Sequence, residues 1–126
     1  MAIKTYEQYL DSLRSMRPNI YKFDELIEDV TTHPATRRTV AGHGWTFRAA
    51  ADEDYRDKVT TVSHLSGEPI SRYLSIIREP EDMYANSEMK RLMFHLTGTC
   101  TGGRCAGWTA LNGLVDKVLC FGCCIF

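Results

Sequence analysis

From Arg91 to Asn112 the chain reads Arg-Leu-Met-Phe-His-Leu-Thr-Gly-Thr-Cys-Thr-Gly-Gly-Arg-Cys-Ala-Gly-Trp-Thr-Ala-Leu-Asn, which sets Cys100, Cys105 and two glycines at the joint between two apolar helical segments. This joint constrains the fold more than any other stretch. Helical periodicity on both sides of a glycine break calls for two helices that meet there, and thiols sit where they meet. Thiolates are preferred ligands of soft metal centres and iron–sulfur clusters, and a pair this close can hold two corners of one cluster. The residues alone equally suit free cysteines lodged against a core.

The chain has 126 residues, 44% of them hydrophobic, enough for one domain with an ordinary core and without repeats or a dividing linker. All five cysteines stand at or after Cys100, so they cannot staple the N-terminal three quarters as a secreted disulfide framework would. A reducing compartment fits that clustering. Fifteen basic and 16 acidic side chains are interspersed rather than gathered into a stripe that tracks phosphates, which argues against a nucleic-acid partner. No apolar run approaches the ~20 residues that span a bilayer, and the N-terminus reads as a polar helix; the expectation is a cytoplasmic protein with no membrane partner.

Local patterns predict a mainly α fold with one or two short extended segments. Thr5-Tyr-Glu-Gln8 is a capping box, and Tyr6, Tyr9, Leu10 and Leu13 follow at helical spacing toward Arg17. Ile20 to Val30 is too β-rich for a clean helix and suggests a hairpin around Asp24-Glu25, serving as a buried clasp. His33-Pro34 opens a second helix running to Ala51, with Gly42 and Gly44 as points of close approach. A helical turn near Tyr55, an extended Thr60–Leu65, a turn at Ser66-Gly-Glu-Pro69 and an irregular or β-rich Ile70–Ile77 come next. Glu79-Pro-Glu-Asp82 starts a helix whose core side carries Met83, Met89, Leu92, Met93 and Leu96. A last helix fits Cys105 to Leu119, with Leu111, Leu114, Val115 and Val118 as its apolar face.

Four blocks carry a family resemblance: Tyr21-Lys-Phe-Asp-Glu-Leu-Ile-Glu-Asp-Val-Thr-Thr-His33-Pro34, Thr61-Val-Ser-His-Leu-Ser-Gly-Glu-Pro-Ile-Ser-Arg72, Glu88-Met-Lys-Arg-Leu92 and Arg104-Cys-Ala-Gly-Trp-Thr-Ala-Leu-Asn112. In order and spacing they resemble the 4-hydroxyphenylacetate 3-hydroxylase family, most of all its 4-hydroxybutyryl-CoA dehydratase branch. The resemblance implies the N-terminal helical domain of a longer, acyl-CoA-dehydrogenase-like flavoprotein, usually a homotetramer acting on an acyl-CoA substrate. It implies FAD and a [4Fe-4S] cluster in the full-length enzyme, with Cys100 and Cys105 as two cluster ligands and Arg91 as a cofactor-site arginine. A histidine and a third cysteine from distant sequence complete that ligand set, so neither cofactor is expected to be fully bound by this chain alone, and no catalytic residue is assigned within it. The monooxygenase branch, which uses reduced FAD without a cluster, is the alternative.

Three departures stand out. Four residues separate the cysteines where three are usual, which on a regular helix turns the sulfurs about 140° apart unless Gly102-Gly103 supplies a break. Asp24 replaces a customary glycine. Residues 1–115 form the family-like domain, whereas 116–126 read as a divergent Cys-rich tail, as from a truncated or frame-disrupted copy. Cys120 and Cys123 complete a four-thiol pattern that would suit a non-catalytic, zinc-stabilised helical module. Cys123-Cys-Ile-Phe126 matches a prenylation box without the polybasic second signal. His33 is expected to hydrogen-bond at a helix start, and His64 and His95 to be polar groups near a core. Arg91 could equally pair with Glu88, and Trp108 either packs or lines a pocket.

Overall fold

The structure, a computed structural model, describes residues 3–16, 19–100 and 102–123, with 117–123 as helix backbone. Among the described residues five helices and two small hairpins follow in order: α1 (Tyr6–Met16), β1 (Ile20–Lys22), β2 (Glu25–Ile27), α2 (Arg37–Ala51), α3 (Arg56–Val59), β3 (Thr60–Val62), β4 (Pro69–Ser71), a 3-10 turn (Arg72–Leu74), α4 (Pro80–Thr97) and α5 (Gly102–Cys123). The mainly α expectation holds.

The predicted capping box opens α1. Thr5 N–H donates to Gln8 Oε1 at 2.9 Å and Gln8 N–H to Thr5 Oγ1 at 3.2 Å, so two donors that a helix start leaves bare are satisfied reciprocally. The helix then lies on α2, where Tyr9 stacks on Phe47 at 4.8 Å between ring centroids and the Tyr6 ring sits under the Arg48 guanidinium at 4.0 Å. Tyr6 fits because Gly44 has no side chain: a Cβ there would overlap the ring. Gly42, by contrast, faces open space.

The hairpin forms, one residue earlier than predicted. Its register pairs Ile20 with Ile27, Tyr21 with Leu26 and Lys22 with Glu25, and Phe23 and Asp24 make the turn with φ of 50° and 63°. Both residues therefore occupy the left-handed region that a two-residue hairpin turn requires, and Asp24 does so in place of glycine. The clasp is only half buried: Ile27 and Val30 enter the interior, while Tyr21, Phe23 and Leu26 remain outside.

Helix α2 begins at Arg37, not at Pro34. Residues 29–36 are instead pinned by side chains. Asp29 Oδ1 accepts from Thr31 N–H at 2.8 Å and from its hydroxyl at 2.7 Å, which holds the carboxyl below the usual range. Thr36 Oγ1 donates to Val30 O at 2.6 Å, and Ala35 N–H donates to His33 Nδ1 at 3.1 Å. Local hydrogen bonds of this kind compete with helix and delay it. His33 hydrogen-bonds as expected, but in the loop ahead of the helix rather than at its start.

Arg72 ties the second hairpin to the short helix before it. Its Nε donates to Lys58 O at 3.1 Å, and Nη2 to Asp57 O at 3.0 Å and Thr60 O at 2.8 Å, satisfying carbonyls that the end of α3 leaves without intrahelical partners. Replacing Arg72 by alanine removes three charge-assisted bonds and should cost about 2–3 kcal/mol. Urea denaturation measures it, and lysine, lacking the planar fork, should recover only part of the loss.

The core gathers Ala49, Val59, Tyr73, Met89, Met93 and Trp108, one or two from each surrounding element, with Cys105 among the half-buried residues against it. Met89 and Met93 carry the α4 stripe as predicted. Met83 does not: it is exposed in the first turn of α4, ahead of the crossing with α2. Leu114, assigned to the apolar face of the last helix, is 66% exposed, because α5 meets the 3-10 turn through the neighbouring Asn112. That side chain accepts from Ile77 N–H at 2.7 Å and donates to Ser75 O at 3.2 Å, locking the helix to the loop.

Candidate functional site

Helix α4 stops at Gly98, whose φ of 65° turns the chain left-handed while its N–H caps Phe94 O at 2.8 Å. Glycine meets that geometry without a steric cost. The Thr97 hydroxyl lies 2.7 Å from both Met93 O and Thr99 O, so the exit from the helix is held firmly. Cys100 follows, exposed, and Gly102 begins α5. The two cysteines are therefore not on one regular helix. Cys100 stands on the connection just ahead of α5, and Cys105 stands in its first turn, half-buried against the core. The angular separation expected of a continuous helix does not apply, because the glycine pair marks the helix start.

This arrangement offers one thiol to solvent and anchors the other. Cys100 precedes the positive end of the α5 dipole, a position that favours an anionic centre such as a thiolate-ligated cluster. Among the described residues no group of three or more His, Cys, Asp and Glu side chains is placed to hold a metal ion. The thiols of Cys120, Cys123 and Cys124, and with them the four-thiol and prenylation patterns, lie outside the described residues.

Arg91 is exposed on α4, about two turns before Gly98. Among the described residues it has no acidic partner, so the Glu88 pair does not form. His64 and His95 are exposed rather than near the core.

A residue that sequence reasoning passed over stands beside Cys105. Arg104 is largely buried, its guanidinium 5.1 Å from the centre of the Phe47 ring and its Nη2 donating to His43 O at 3.4 Å. Burial draws its pKa down, and the phenols of Tyr9 and Tyr73 oppose the shift. Among the described residues it has no carboxylate partner. Arg104, Trp108 and Leu111 recur at helical spacing and, with Tyr73, Phe47 and Ile70, line an apolar cleft of about 610 Å³. Neither cysteine lines it. A charged residue four before a tryptophan on an otherwise apolar helix was the signal available in the sequence.

His43, whose carbonyl receives Arg104, is held below the ordinary histidine range, first by burial and then by the Arg104 charge. As pH falls, the unfolded chain takes the proton first, so this contribution to stability is fully present above about pH 6.5 and is lost as pH falls through the lower folded value. The thermal midpoint should fall between pH 8 and pH 5, and His43→Gln should flatten that part of the profile.

The fold and site define a class: a small, mainly helical domain with two thiols at the joint of its last two helices. Residues 5–116 match the family described as 4-hydroxyphenylacetate 3-hydroxylase N terminal, and the chain belongs to that family. It is 34% identical over 112 residues to the 4-hydroxybutyryl-CoA dehydratase/vinylacetyl-CoA-Δ-isomerase of Clostridium aminobutyricum, covering 89% of this chain and 23% of that protein. It is 32% identical over 72 residues to the oxygenase component of 4-hydroxyphenylacetate 3-monooxygenase from Geobacillus sp. (strain PA-9), covering 56% of this chain and 14% of the relative.

Among solved structures, an oxygen-tolerant archaeal 4-hydroxybutyryl-CoA dehydratase from N. maritimus superposes with a TM-score of 0.81 at 30% identity, over 90% of this chain and 22% of that one. The oxygenase component of a 4-hydroxyphenylacetate 3-monooxygenase, complexed with FAD, superposes at 0.63 and 26% identity, over 71% of this chain and 19% of that one. The chain spans less than a quarter of the length of these relatives. No helix among the described residues is long and apolar enough to cross a membrane.

Proposed function

We propose that this chain is the N-terminal module of a 4-hydroxybutyryl-CoA dehydratase/vinylacetyl-CoA-Δ-isomerase-like enzyme that works with FAD and a [4Fe-4S] cluster on an acyl-CoA. Cys100 and Cys105 supply two of the cluster ligands, Arg91 serves the cofactor region, and ligands from further polypeptide complete the set. The observation that carries this reading is the thiol pair at the α4–α5 joint, one exposed and one anchored, in a chain whose likeness to the dehydratases covers nearly all its length. When bound, a cluster of this kind supplies Lewis acidity toward a departing hydroxyl, and the flavin supplies hydrogen transfer. This chain's own part is to fix two thiolates at a rigid helix start. The family-like unit is residues 1–115, followed by a divergent Cys-rich tail at 116–126, and the assembled enzyme is a cytoplasmic homotetramer.

Anaerobic reconstitution of the chain with iron and sulfide, followed by metal analysis and an assay for crotonyl-CoA, tests the reading. Substoichiometric, labile iron that depends on Cys100 and Cys105, with no turnover, is the expected result. One tightly held zinc per chain, or crotonyl-CoA formation by the chain alone, contradicts it.

One observation favours a second reading, the oxygenase branch. The cleft lined by Arg104, Tyr73 and Trp108 is apolar, aromatic and cationic at one wall, which suits a phenol. Titration of the Trp108 indole signal with 4-hydroxyphenylacetate and with crotonyl-CoA separates the two readings.

A further inference from the structure

Helix α1 buries none of its residues, whereas α2 buries four and α4 three, and the core cluster takes nothing from it. It meets α2 through two tyrosines. Tyr9 stacks on Phe47, with its hydroxyl 3.3 Å from Val40 O, and Tyr6 sits on the bare backbone of Gly44 beneath the Arg48 guanidinium. An element held by half-buried rings rather than by core residues opens at a lower free energy than the elements around it.

The same helix carries part of the wall of the apolar cleft. Ile3 and Lys4, on its N-terminal lead, line the cleft together with Arg104 and Trp108. Lead and helix form one unit, because Lys4 Nζ donates to Ser12 Oγ at 2.9 Å, Ser12 Oγ donates to Gln8 O at 2.7 Å, and the capping box joins Thr5 to Gln8. Moving α1 therefore moves that wall. Phe47, on which Tyr9 stacks, lines the cleft as well, and the Arg104 guanidinium lies 5.1 Å from its ring centre.

We propose that α1 and residues 3–5 form a lid on this cleft, latched by Tyr6 and Tyr9, which opens as a unit while the core stays folded. Shut, the lid keeps water from Trp108 and from the Arg104 guanidinium; open, it admits a ligand past Phe47. The charges of Tyr9 and Arg104 act on each other, as groups on the two sides of a closing seam do. The inference rests on the cleft and not on the thiols, so it stands whichever branch of the family the enzyme follows.

Native-state hydrogen exchange of the full chain, with reductant present, should show α1 amides exchanging about a hundredfold or more faster than those of α4. Two variants release the latch by different routes. Gly44→Ala places a methyl group where the Tyr6 ring lies yet favours the α2 helix itself, and Tyr9→Ala removes the stack without weakening α1 as a helix. Each should raise α1 opening about tenfold. Gly42→Ala, which faces open space, favours α2 equally and should leave α1 exchange unchanged. The lid role has its own readout: in a Trp45→Phe chain, acrylamide quenching of Trp108 should rise about twofold with either latch variant and stay level with Gly42→Ala. Exchange of α1 no faster than that of α4 overturns the inference. So does a latch variant that frees α1 and leaves Trp108 quenching unmoved, which would make α1 a loose helix that covers nothing.

Discussion

Alanine in place of Trp108 should cost this domain about 3–5 kcal/mol, a large share of the ~5–15 kcal/mol that holds a domain of this size together. Trp108 is only 7% exposed and belongs to the cluster formed by Ala49, Val59, Tyr73, Met89 and Met93. It brings α5 into that core, and the Lys90 ammonium lies 4.4 Å from its ring centre. Truncation leaves a cavity that neither α4 nor the 3-10 turn can collapse to fill, since Asn112 fixes the helix against the loop. Phenylalanine is the informative control. The Trp108 Nε1 donor is buried without a partner among the described residues, and such a donor is itself a burden of about 1–3 kcal/mol. Trp108→Phe loses volume but sheds that burden, so its net cost should be under about 1.5 kcal/mol. Equilibrium urea denaturation decides the matter: an alanine variant within 1 kcal/mol or so of the parent would mean that this cluster is not the core.

The second large effect is functional and asymmetric. Serine at Cys100 should leave the fold within about 0.5 kcal/mol, because the thiol is exposed on a connection and touches no core group. Serine at Cys105 places a hydroxyl against the core cluster and should cost about 1 kcal/mol. Either change should lower iron retention in an assembled enzyme about a hundredfold or more, since a hydroxyl does not replace a thiolate on iron. Melting curves and iron analysis on the same preparations separate the two consequences. Loss of iron with Cys100→Ser at unchanged stability is the pattern that a ligand gives and a core residue does not.

Much of the fold could be read from local chemistry. The Thr5–Gln8 capping box, the Glu79-Pro80 helix start and the Met89–Met93 stripe each rest on interactions within a few residues, and each formed as expected. Failures came where side-chain bonds compete for the backbone or where distant neighbours decide which helix face is covered. Proline at position 34 favours a helix start, but Asp29, Thr31 and Thr36 capture the backbone first. Periodicity placed Met83 and Leu114 inside, yet no element among the described residues covers those parts of α4 and α5. His95 and Arg91 sit on the exposed side of α4, a matter of which helix face the neighbours choose. Cys100 and Cys105 were legible as a pair by type and spacing. Their division between connection and helix depended on where α5 begins, and Arg104 on how α2 folds over it.

A chimera puts the central claim to its most direct test. Residues 5–116 of this chain replace the matching N-terminal part of the Clostridium aminobutyricum dehydratase, and iron and sulfide are measured after anaerobic purification. The account predicts a full cluster's complement of both, lost on Cys100→Ser or Cys105→Ser. A folded, flavin-loaded chimera that holds no iron with both thiols intact would contradict it.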